Sequence, residues 1–183
     1  MKKTSMRIEK DSLGERAVPA SAYYGVETVR ALENFPISGE RFHGDFIWAL
    51  AAVKKACARA NMTLGRLDLR RGRAIVRACD EVISGKFRQE FVTDVLQSGA
   101  GVSAHMNMNE VIANRALEIL GKKKGDHGFL HSHDHVNMGQ STNDVIPTAL
   151  RLSALRISAE FWQESVALEK SLLKKAREFR DVV

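Results

Sequence analysis

Cysteine and long apolar runs are both scarce in this 183-residue chain. Its two cysteines, Cys57 and Cys79, lie among alanines and valines and share neither a CxxC nor a Cys/His metal spacing. Both read as reduced, buried thiols rather than nucleophiles or a disulfide. No stretch of about 18 uninterrupted apolar residues occurs, so no membrane-spanning helix is expected. The opening "MKKTSMRIEKD" has two lysines but no apolar segment behind them, which argues against a secretory signal and for a cytoplasmic protein. Internal repeats, low-complexity tracts and flexible linkers are missing as well. A chain of this length can form one domain with a real core, or part of something larger.

Acidic residues are outnumbered, 22 against 28 basic ones, giving a formal charge of +6. The excess concentrates at Lys54, Lys55, Arg59, Arg66, Arg70, Arg71, Arg73 and Arg77. A nucleic-acid surface has that bias, but this run lacks interleaved aromatics and is interrupted by Asp68 and Asp80. A solvated helical face is therefore expected, with no nucleic-acid partner. A small anionic substrate is compatible with the charge.

Helical spacing dominates what is present. Short extended segments and turns are expected in "RIEKDSLGERAVPASAYYG", which carries Gly14 and Pro19. A short helix follows over 26–35, stopped by Pro36. Apolar residues at Phe46, Leu50, Val53 and Cys57 predict a helix over 45–62, and another runs over 68–84 with Asp68 as N-cap and Gly85 as stop. The small residues Gly99, Ala100 and Gly101 form a loop before a helix ending near Gly121, with Ser103 available as its cap. After Asp144 the chain reads as one helix to about Arg180, with Pro147 in its first turn. Two apolar stripes, one through Leu152, Leu155 and Trp162 and one through Leu150, Ile157 and Phe161, require two sets of neighbours. At 1.5 Å per residue such a helix spans roughly 54 Å, so its partners lie in other subunits or in other sequence.

The densest polar stretch, "HSHDHVNMGQSTND" at 131–144, admits two chemistries. On a strand His131, His133 and His135 would share one face, workable for zinc or iron, but a metal needs further ligands and His43, His105 and His127 are isolated. Histidines lining an anion pocket, or hydrogen-bonded in a loop, are the other reading. Ser141, Thr142 and Asn143 immediately precede the long helix and present hydroxyls, an amide and backbone N–H groups at its positive end. That arrangement suits a carboxylate, or is an N-cap and nothing more. The Gly-Ala-Gly loop has the same ambiguity.

At this point the residues match a family. "SGAGVSAHMNMNEVIANRALEILG" and "HVNMGQSTNDVIPTA" resemble two sequence blocks of the aspartase/class II fumarase superfamily, and "EKDSLGE", "YYGVETVRALENFPI" and "ANM" fit its N-terminal domain. The resemblance covers nearly the whole chain. "GAG" and "QSTND" look more like aspartate ammonia-lyase than fumarase. The resemblance implies a mainly α fold: a small mixed N-terminal domain over 1–143 with short extended segments and several helices, then over 144–183 the first long helix of a central helical bundle. It further implies a homotetramer, a small dicarboxylate or amino-acid substrate, and elimination of ammonia from aspartate to give fumarate with no metal or cofactor. Ser141 and Thr142 match positions that grip the β-carboxylate, Asn143 one that helps place the amine, and Gly101, Val102 and Ser103 the loop beside the substrate. His131, His133 and Asp134 align with a loop that in fumarases forms a second, non-catalytic anion site, here with Ser132 and His133 in place of proline and asparagine.

Two departures follow from the same comparison. Val102 stands where aspartases usually have a substrate-contacting threonine, and loss of such a donor can cost about 3 kcal/mol of transition-state stabilisation. The family's GRTH/GRTQ block and its GSSxMPxKxNP loop, whose serine is the base, are absent from these residues, so no catalytic residue is expected here and the chain is expected to be a truncated piece. Fumarate hydratase, a non-catalytic fragment assembling through its long helix, and a metal-binding module through the three histidines are the alternatives.

Overall fold

The computed structural model describes residues 5–182, and helices dominate them. At the N-terminus β1 (Met6–Asp11) and β2 (Gly14–Pro19) pair antiparallel, with Asp11 opposite Gly14 across a two-residue turn. The expected extended segments are thus one hairpin. Arg7 and Glu9 on β1 tie it to the helices: the Arg7 guanidinium donates to the carbonyls of Pro19, Ala22 and Tyr24, and Glu9 accepts from the Val26 N–H.

Five helices follow: α1 (Val26–Asn34), α2 (Gly44–Thr63), α3 (Leu69–Ile83), α4 (Val102–Ile119) and α5 (Thr142–Glu178). Asp68 caps α3 as its composition suggests, accepting from the Arg71 N–H at 3.0 Å. A one-turn 3-10 segment (Arg88–Glu90) and a π-helical turn (Ser132–Val136) fill the connections. The core lies where α2, α3, α4 and the head of α5 meet, through Leu50, Ile75, Cys79, Met108, Ile112 and Val145. Cys79 is fully buried as expected, whereas Cys57 is only half-buried.

Helix α4 runs through the middle, and every residue from Ala104 to Asn114 is buried. Two of its asparagines and its buried glutamate are matched to specific backbone groups. Asn107 bridges the Val92 N–H and the Glu90 carbonyl, and Asn114 the Tyr23 carbonyl and the Gly125 N–H. Glu110 caps α1 from outside it, accepting from the N–H groups of Gly25, Glu27 and Thr28 and from the Thr28 hydroxyl. An added Cβ at Gly25 would lie 2.5 Å from Glu9 Oε2 and 2.8 Å from Glu110 Oε1, so a larger residue there would displace these buried carboxylates. Burial outweighs these donors and pushes the Glu110 carboxyl up to about 7.

Helix α5 has 37 residues, about 55 Å at 1.5 Å per residue. Pro147 is its sixth residue, in the second turn rather than the first, so its missing N–H is the one that would have reached the Asn143 carbonyl. Among the described residues α5 packs on the rest of the chain through its head, as far as Arg156, which pairs with Asp45 and lies over the Trp48 ring. Beyond Ser153 both apolar stripes are open to solvent, with Leu155 69%, Phe161 70% and Trp162 70% exposed. Among the described residues no helix is long and apolar enough to cross a membrane.

Candidate active site

The candidate residues gather around the head of α5. Ser141 is its N-cap in extended backbone, its Oγ accepting from the Asn143 N–H at 3.2 Å. Thr142 opens the helix half-buried, and Asn143 beside it is exposed. The free N–H groups and dipole of a long helix give this end partial positive charge.

Thr142 is held from behind by groups the sequence reading missed. Its Oγ1 lies 2.7 Å from Nδ1 of His105 on α4, and the other ring nitrogen, Nε2, meets the ammonium of Lys54 on α2. Lys54 also donates to Asn137 Oδ1 at 2.9 Å and to Gln140 Oε1 at 2.8 Å. Lys54 and His105 are both wholly buried. Burial drives the lysine down to about 7, and burial together with the lysine charge drives the imidazole down to about 3. His105 is therefore neutral near pH 7.

Lys54 was expected on a solvated basic face, and that expectation fails for it alone: Lys55 and Arg71 are half-buried and the remaining five are exposed. The signal was in the spacing. Phe46, Leu50, Lys54 and Ala58 recur every four residues and all four are buried, so Lys54 sits on the apolar face of α2. His105, which looked isolated, stands in the buried run of α4.

The Gly-Ala-Gly loop adopts three successive left-handed residues, with φ of 76° at Gly99, 53° at Ala100 and 88° at Gly101. Ser103 does not cap α4, because the helix already begins at Val102. The cap comes instead from Gln97, whose Oε1 accepts the Ala104 N–H at 2.9 Å. A Cβ at Gly101 would sit 3.1 Å from the Ile146 side chain, so the loop lies flat against α5. Gly101 and Asn143 consequently share one cavity of about 550 Å³ with Phe42, Phe46 and Ile146. Val102 and Ser103 face a different cavity of about 350 Å³, with Glu27, Arg30 and His133. Of the six expected substrate residues, Gly101 and Asn143 thus line one cavity and Val102 and Ser103 the other, whereas Ser141 and Thr142 line neither of the two, and Thr142 is bonded to His105.

The histidine run is not a strand. The π-helical turn makes the rings serve their own backbone: His131 Nδ1 accepts the His133 N–H at 3.1 Å, and His135 Nδ1 the His131 N–H at 3.0 Å. His133 Nε2 is bonded to the Glu27 carboxylate, and Asp134 is exposed with its carboxylate 3.9 Å from His131 Nδ1. The shared face assumed for a three-histidine metal site therefore does not form, and among the described residues no group of three or more His, Cys, Asp or Glu is arranged to hold a metal. His131 and His133 do line a cavity of about 230 Å³ with Lys10, His127, Glu27 and Glu110.

Comparison with known proteins agrees with the helical fold. A protein-family model described as lyase matches residues 14–183. An aspartate ammonia-lyase of Bacillus sp is 49% identical over 180 residues, 98% of this chain and 38% of that protein. The chain belongs to the aspartase/class II fumarase superfamily. Both branches of the superfamily are represented, since a class II fumarate hydratase of Halobacterium salinarum is 57% identical over 149 residues, 81% of this chain and 32% of its own length. The crystal structure of fumarate lyase:delta crystallin from Brucella melitensis in native form superposes with a TM-score of 0.89 at 48% identity, covering 97% of this chain and 42% of that one. Against the superfamily members it matches, the chain spans well under half their length.

Proposed function

We propose that the chain contributes the carboxylate-gripping part of an ammonia-lyase that eliminates ammonia from L-aspartate to give fumarate. The observation that carries this reading is Thr142 at the positive head of α5, its hydroxyl braced through His105 by a buried lysine. In such a reaction a base takes a proton from the carbon beside the β-carboxylate, and negative charge builds on that carboxylate. Donors fixed before the reaction stabilise that charge without reorganising. Ser141 and Thr142 supply hydroxyls there, and the helix terminus adds its own field. Asn143, in the same cavity as Gly101, has an amide to place the substrate amine.

The base is not among the residues that line these cavities, and the reading takes it from sequence beyond these 183 residues. In that complete protein, 1–143 form the N-terminal domain and 144–183 the first helix of a central bundle. The two exposed stripes of α5 are then buried against other subunits of a homotetramer in the cytoplasm. The pocket of His131 and His133 is a second anion site, with Lys10 on its wall beside Glu27 and Glu110, and the exposed Asp134 lies outside it.

Fumarate hydratase is the second reading, favoured by the 57% identity to the Halobacterium salinarum enzyme. The complete reading frame, assayed by fumarate absorbance, separates the two. Absorbance rising with L-aspartate supports the lyase, and turnover of malate alone moves the reaction to hydration.

A further inference from the structure

Lys54 Nζ has three partners, and two of them can only accept. The Gln140 amide donates through Nε2 to the carbonyls of Val136 at 2.9 Å and Met138 at 3.3 Å, which turns Oε1 toward the lysine. Asn137 donates through Nδ2 to the Gln140 carbonyl at 3.4 Å and likewise presents Oδ1. Two lysine hydrogens are thereby committed. The third partner, His105 Nε2, belongs to a ring that accepts or donates at that atom according to its tautomer.

The two protonation states of Lys54 then order the whole chain of bonds in opposite directions. An ammonium gives its third hydrogen to Nε2, so neutral His105 keeps its proton on Nδ1 and donates it to Thr142 Oγ1. The threonine hydrogen is left free to point into the site. A neutral amine offers its lone pair instead, so His105 is protonated on Nε2, and its bare Nδ1 accepts the threonine hydrogen. Only oxygen lone pairs then face outward.

We propose that the Lys54, His105 and Thr142 chain is a direction switch, in which one proton on Lys54 decides whether Thr142 donates to the carboxylate of an anionic substrate or repels it. The proposal rests on the carboxylate reading of the α5 head, and it makes Lys54 and His105 positioning residues for that grip. When the proton leaves it passes to solvent, and no covalent bond changes. The groups around the lysine are the Cys57 thiol on α2, the Cys79 thiol on α3 and His105 on α4, with His133 acting on the ring and Asp144 on Cys57. Burial pushes both thiols up, so they stay neutral near pH 7 and leave Lys54 as the group that titrates. A bound dicarboxylate favours the ammonium and hence the donating direction.

Side-chain nitrogen NMR of His105 in this chain, assigned through its backbone and followed from acid to alkaline pH, reads the switch directly. The expected result is an Nδ1–H tautomer at low pH that becomes Nε2–H through a single midpoint; one tautomer throughout overturns the proposal. Thr142→Val provides a second arm, because a methyl of the same shape removes the hydroxyl whose direction the switch sets. In the complete reading frame the Kd for succinate, measured by calorimetry, should rise about tenfold per pH unit above the midpoint in the parent, and in T142V should be raised at all pH values but flat. Equal pH dependence in both proteins overturns the switch. Absence of turnover with L-aspartate counts against the proposed reaction, and the tautomer measurement decides the switch independently of it.

Discussion

The side chain of Lys54 ends on His105 Nε2, in a place where neither residue is exposed to solvent, and this contact links α2 through α4 to the head of α5. A buried ammonium is costly unless its hydrogens are all taken, and here three acceptors surround it. The cost is visible in its depressed proton affinity.

Lys54 titrates near 7 in the fold and at 10.5 as a free side chain, so between those values the unfolded chain binds one more proton than the folded one. Stability is therefore gained as pH rises through that window, by roughly 1.4 kcal/mol per unit at most. Urea unfolding of the parent and Lys54→Met at pH 7, 8 and 9 should show the difference between them moving in the parent's favour. Parallel curves would mean that the lysine is not desolvated.

Glu110 should show the opposite sign in a lower window. Its folded value of about 7 lies above the ordinary 4.5, so the fold holds a proton that the unfolded chain has lost, and stability falls as pH rises from 4.5 through 7. Glu110→Gln removes that slope. It also turns an amide NH₂ toward N–H groups that need an acceptor, and should cost about 1–3 kcal/mol. Unaltered thermal melting in E110Q would show that the α1 cap contributes nothing.

Gly101→Ala tests the packing of the loop on α5. Left-handed backbone costs a residue with a Cβ roughly 1–2 kcal/mol, and the new carbon would stand 3.1 Å from Ile146. Destabilisation of at least that size is expected in chemical denaturation. A neutral result would show that the loop shifts freely.

The apolar stripes of α5 predict self-association. Phe161 and Trp162 are each 70% exposed with neighbouring leucines in the same state, a surface that monomers seldom leave open. Size-exclusion chromatography with light scattering should find the chain oligomeric, and Phe161→Asp with Trp162→Asp should reduce it toward monomer. A parent chain that is monomeric with α5 folded contradicts the expectation.

Much of this architecture was legible in the sequence because its signals are local. Helical spacing placed all five helices to within a few residues, and Asp68 and the apolar stripes of α5 behaved as their patterns suggest. The misreadings come from side-chain partners that residue spacing along a strand or helix does not reveal. Ser103 looked like a cap, but Gln97 reaches the Ala104 N–H first. The alternating histidines looked like a strand face, yet the turn at 132–136 uses two of the rings to satisfy its own N–H groups. Lys54 was grouped with its charged neighbours although its four-residue spacing with Phe46, Leu50 and Ala58 placed it in the core. Only the fold brings it to His105, 51 positions along the chain.

In the proposed reaction Ser141 and Thr142 hold the carboxylate on which charge develops. Fumarate formation from L-aspartate by the complete reading frame, with and without Ser141→Ala plus Thr142→Ala, shows whether they do. The double variant should assemble as the parent does, lose about 1 kcal/mol of helix capping, and have no measurable turnover. Activity retained in the double variant would mean that the carboxylate is held elsewhere.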